Sequence, residues 1–65
     1  MDNNSRTTEQ IKIIEKIGKY EIEVVMNKKL YELQVIPEEL YQTVTDKLLS
    51  KIKNLKEELE LIEIV

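Results

Sequence analysis

The hydroxyls of Ser5, Ser50, Thr7, Thr8, Thr43 and Thr45 are the candidate nucleophiles of this sequence, and only carboxylates and lysines could serve them as bases. No His and no Cys is present, and none of the hydroxyls has a recognisable activating neighbour in sequence. The paired acids Glu38-Glu39 and Glu57-Glu58 are adjacent, so on a helix they point in different directions, which is wrong for two carboxylates sharing acid and base work. A single glycine cannot build a phosphate-cradling loop. Without Cys or His the usual zinc, haem and iron–sulfur ligand sets are missing. Carboxylates alone could hold at most a hard cation, and no EF-hand spacing occurs. The sequence therefore predicts a non-enzymatic protein with no cofactor, and Tyr20, Tyr31 and Tyr41 are expected at the edge of a core rather than as a stacking platform.

The element that organises the rest is the stretch from Pro37 to about Ile62. Pro37 suits a first helical turn, and Glu38 and Glu39 follow it at the positive end of the helix dipole. Leu40, Tyr41, Val44, Leu48, Ile52, Leu55, Leu59 and Ile62 then step by three or four residues and line one face. No stop signal ends the pattern, and residues 59–65 also alternate in a way that suits a fourth strand.

Upstream the period reads as two. Ile11 and Ile13 alternate with Lys12 and Ile14, and Tyr20, Ile22, Val24 and Met26 alternate with Lys19, Glu21, Glu23 and Val25. Gly18, the one glycine, lies between these runs, where a two-residue hairpin loop at Ile17-Gly18 needs tolerance of positive φ. Asn27-Lys28-Lys29 reads as a second polar break, closed by a loop of two or four residues, followed by a strand from Leu30 to Ile36. The fold class expected is α+β: a three-stranded antiparallel β-meander followed by one long C-terminal amphipathic helix. Residues 1–9, polar and without apolar periodicity, are expected as a disordered tail, and residues 10–65 as one small domain.

A 26-residue helix of about 39 Å overhangs a seven-residue strand of about 23 Å. Lys47, Lys51, Lys53 and Lys56 precede Glu57, Glu58, Glu60 and Glu63, the reverse of what the helix dipole favours. An antiparallel second copy crossing near Leu55 would cover the overhang and set the basic middle against the acidic end. The expected dimer interface is Leu48, Ile52, Leu55, Leu59 and Ile62. A chain of 65 residues without disulfides or metal is marginal alone, which also favours self-association.

Ile14, Val25, Leu30 and Ile36, on the outer sheet face, form the expected surface for a protein partner whose identity the sequence does not give. Nucleic acid is not expected, because 13 acidic against 10 basic residues leave a net charge of −3; the corner of Lys16, Lys19, Lys28 and Lys29 is the one basic patch to test. No apolar run approaches membrane-spanning length, and the N-terminus lacks the features of a signal peptide. The expected protein is a small cytoplasmic interaction module, homodimeric, of the adaptor or inhibitor kind. Its Lys-, Ile-, Glu- and Asn-rich usage suits an AT-rich bacterial or phage genome. The alternative is an accessory protein that binds nucleic acid.

Overall fold

The computed structural model describes the backbone of residues 2–64 and the side chains of residues 8–62. It contains two helices: α1, Asp2–Glu32, of 31 residues, and α2, Glu38–Ile64, of 27. They pack side by side as a helical hairpin with extents of 50 × 14 × 10 Å and a radius of gyration of 15.1 Å. A compact chain of this length would have about 11 Å, so the molecule is a rod.

This overturns the expected βββα fold. The described residues contain no strand, the Leu59–Ile64 segment is the last part of α2 rather than a fourth strand, and Gly18 lies in the middle of α1. The polar stretch 1–9, expected as a tail, falls mostly outside the described side chains; the backbone of α1 is assigned from Asp2.

Two superimposed patterns explain why α1 resembles strands in its sequence. Its inward residues are Ile13, Ile17, Tyr20, Val24, Asn27 and Tyr31, spaced alternately by four and three, the repeat of a coiled-coil seam. A second apolar series, Ile11, Ile14, Ile22 and Val25, follows its own three-and-four spacing on the far side. Interleaved, the two series give Ile11/Ile13 and Ile22/Val24, and with Met26, exposed and in neither series, they alternate as a strand would. The seam of α2 follows most of the stripe legible in the sequence, with Tyr41, Leu48, Ile52, Leu55, Leu59 and Ile62 turned inward, but it takes in Thr45 and leaves Leu40 exposed.

The two seams meet antiparallel. Tyr31 stacks on Tyr41 with ring centroids 4.4 Å apart and planes 7° from parallel, and Asn27 reaches Thr45. Counting away from the turn, this register sets Val24 opposite Leu48, Tyr20 opposite Ile52, Ile17 opposite Leu55 and Ile13 opposite Leu59. Ile13, Ile17, Leu48 and Ile52 are buried, and Tyr20, Val24, Leu55, Leu59 and Ile62 pack around this core at half burial. Each fully buried aliphatic side chain contributes roughly 1.5–3 kcal/mol, so four of them make a thin core.

The turn is built without glycine. Gln34 has φ 61°, the one positive φ among the described non-glycine residues. Its N–H donates to the carbonyl of Tyr31 at 2.9 Å, and the N–H of Val35 donates to the carbonyl of Leu30 at 2.9 Å. That pair of bonds is a Schellman ending, with Gln34 in the left-handed position that glycine usually fills. Ile36 and Pro37 then lead into α2, where the N–H of Tyr41 donates to the Pro37 carbonyl at 3.0 Å. Proline is at home there because no earlier residue of α2 needs its missing N–H, and Glu38 and Glu39 complement the dipole of the first turn.

Candidate functional site

Two of the hydroxyls that could have done chemistry are held in hydrogen bonds. Thr43 donates from Oγ1 to the Glu39 carbonyl, one turn back, at 2.9 Å. Thr45 Oγ1 accepts from Asn27 Nδ2 at 3.0 Å, and the same amide donates to the Tyr41 carbonyl at 3.1 Å. Asn27 is 8% exposed, the one buried polar residue among those described, and both protons of its amide are used. Its role is structural: it joins α1 to α2 at one level of the seam, where a buried amide fixes register at some cost in stability. Ser50 is exposed on α2, while Ser5 and Thr7 lie outside the described side chains. Among the described residues, no three acidic side chains converge to hold a metal ion.

Leu48, Ile52, Leu55, Leu59 and Ile62, expected to face a second copy, instead face α1 of the same chain. The length mismatch that called for a partner does not exist, because α1, of 31 residues, runs beside α2, of 27, and packs on its stripe from Tyr41 to Ile62. Lys16, Lys19, Lys28 and Lys29 are not brought together. The first two lie nine to thirteen residues from the other two along α1, roughly 14 to 20 Å, and the four project around different sides of the helix. Lys51 extends over the Tyr20 ring, its Nζ 5.3 Å from the centroid, a geometry suited to a modest cation–π attraction.

The remaining expected surface, Ile14, Val25, Leu30 and Ile36, divides into two. Ile14 and Val25 belong to the apolar series on the outer side of α1, with Ile11 and Ile22; these four are 50–68% exposed. Leu30 and Ile36 belong to the turn end, where Leu30, Leu33, Val35 and Leu40 are 40–63% exposed. Beside them runs a shallow groove lined by Tyr31, Glu32, Gln34, Val35, Ile36 and Pro37. Leu33, Val35 and Leu40 are surface residues, although strand alternation would turn Leu33 and Val35 inward and the α2 stripe would turn Leu40 inward. The signal for Leu33 and Leu40 is visible in retrospect: neither keeps step with the seven-residue repeat that Tyr31 and Tyr41 continue.

The turn end therefore offers aliphatic side chains on a backbone fixed by the Schellman bonds and the tyrosine stack. Charges of both signs flank it in sequence, Glu32, Glu38 and Glu39 with Lys28 and Lys29. No helix among the described residues is long and apolar enough to cross a membrane. No protein-family model, curated protein or solved structure matches this chain.

Proposed function

We propose that this chain is a non-enzymatic protein-binding module of the cytoplasm, and that it docks a partner protein at the turn end of the hairpin. The observation that carries the reading is the exposure of Leu30, Leu33, Val35 and Leu40 together at one end of the rod, beside the ordered turn. Isolated exposed leucines are ordinary on protein surfaces, but a cluster on an ordered turn has a cost in water that a partner relieves. A small module of this kind suits an adaptor or inhibitor, which needs a surface and no catalytic group.

The test is capture on the immobilised full chain, compared with a Leu33→Asp, Val35→Asp variant. Both residues are more than half exposed, so the variant keeps its fold, which far-UV circular dichroism checks. The expected result is one or more proteins retained by the parent chain at about 0.5 M salt and lost with the variant, because apolar contacts survive screening. Equal capture by both chains refutes the assignment of the turn end. Capture of nucleic acid with a steep loss of affinity as salt rises would favour the alternative accessory role instead.

A further inference from the structure

Gly18 has no conformational reason to be glycine. It lies inside α1 with no positive φ, and an added Cβ would find nothing within 4 Å. Glycine in a helix interior is less favourable than alanine, so its position invites another explanation. Around it the outer apolar series is symmetric: Ile14 and Ile22 stand four residues to either side, Ile11 and Val25 seven to either side, and all four are at least half exposed.

We infer that this face of α1 is a self-recognition surface, which pairs antiparallel with the same face of a second copy across a two-fold axis at Gly18. The axis sets Gly18 against Gly18 of the second copy, Ile14 against its Ile22 and Ile11 against its Val25, the isologous arrangement that a two-fold dimer requires. Glycine at the crossing lets the helices approach more closely than the usual 8–10 Å between axes, so the isoleucines on either side interdigitate. One flank adds charge complementarity between copies: in an antiparallel pair like flanks meet, and Glu15 of each copy comes beside Lys19 of the other. The surface is separate from the intrachain seam, which stays intact.

From Ile11 to Val25 the contact runs about 21 Å along a helix about 10 Å wide. That is well under the roughly 800 Å² per partner of a standard interface, so the association is weak and concentration-dependent. Taken with the turn end as the docking surface proposed above, the dimer carries two such ends facing in opposite directions and about 50 Å apart, counting the helical rise from Gly18 to Val35 in each copy. It is then a two-headed connector rather than a single plug.

Two measurements on the full chain test the pairing. Sedimentation equilibrium between about 5 and 500 μM should show reversible monomer–dimer exchange. An Ile14→Glu, Ile22→Glu variant, altered only at exposed positions, should keep its helicity and remain monomeric throughout, whereas the Leu33→Asp, Val35→Asp variant should still dimerise. The chain has no cysteine, so Gly18→Cys and a control on the outer side of α2, Glu57→Cys, can be oxidised separately. Cysteines at position 18 should form the interchain disulfide at least 10-fold faster. A parent chain that stays monomeric at 500 μM overturns the inference. So does a dimer that survives the Ile14→Glu, Ile22→Glu change, or a Gly18→Cys link no faster than the control. Undiminished partner capture by the Leu33→Asp, Val35→Asp variant, with dimerisation intact, would count against the turn-end reading alone.

Discussion

Moving the glycine from position 18 to position 34 should stabilise the protein, since each substitution gives the backbone a residue suited to its conformation. At Gly18 the backbone is helical and the space beyond it is empty, so Gly18→Ala gains the helix-propensity difference of about 0.8–1 kcal/mol. At Gln34, φ is 61°, a left-handed conformation that costs an L-residue roughly 1–2 kcal/mol. Gln34→Gly relieves that cost but adds freedom to the unfolded chain, which leaves a net gain of about 0.5–1 kcal/mol. The sites are sixteen residues apart, about 24 Å along the helix, so the gains should add. The double variant should be more stable by about 1.5 kcal/mol and its Tm higher by roughly 6–12 °C. Thermal and urea unfolding followed at 222 nm, at low micromolar concentration where copies are apart, measures this. Gly18→Val should be neutral within about 0.5 kcal/mol, while Gln34→Val should be destabilising. A fall in Tm for Gly18→Ala would mean that position 18 needs positive φ, as a β-hairpin loop would, and would refute the helical assignment of α1.

Three further outcomes follow from the seam. Ile52→Ala should cost about 3 kcal/mol, within the usual range for truncating a buried isoleucine; in so thin a core this shows as partial unfolding at 37 °C by circular dichroism. Leu55→Glu with Leu59→Glu should unfold the hairpin rather than yield a folded monomer, because both face α1, and loss of the 222 nm signal would report it. Asn27→Ala should cost about 2 kcal/mol in urea unfolding for two lost hydrogen bonds, whereas Asn27→Leu should be close to neutral, since the apolar side chain fills the seam opposite Thr45.

The glycine pair also shows where the sequence misleads. The sequence's one glycine reads as the turn, yet the turn lies at Leu33–Ile36, where Gln34 takes the left-handed position and only Pro37 hints at a boundary. Asn27 reads as a loop signal because polar residues interrupt strands, but it is buried and bonded to Thr45 and Tyr41. Its hydrogen-bond partners are distant in sequence, so no local pattern could reveal them. In α1 the outer series of Ile11, Ile14, Ile22 and Val25 overlays the seam and turns a three-and-four spacing into an apparent alternation. α2 was legible because its outer side carries mainly Lys and Glu, which leaves one stripe to read. Of the expected partner surface, Ile14, Val25 and Leu30 are exposed and Ile36 half-buried, and they lie on the outer side of a helix and beside a turn rather than on one sheet face.

The antiparallel register of α1 on α2 is the claim on which every other inference stands, and a single engineered disulfide tests it. In an Asn27→Cys, Thr45→Cys variant the two sulfurs replace side chains that are hydrogen-bonded at 3.0 Å. Oxidation should therefore close an intramolecular loop, giving a monomer on non-reducing gels. The oxidised form should then be more stable than the reduced form by about 3 kcal/mol, as expected for a loop of this length. If oxidation yields only interchain products, or a closed monomer less stable than its reduced form, α1 and α2 do not meet at this level and the hairpin register is wrong.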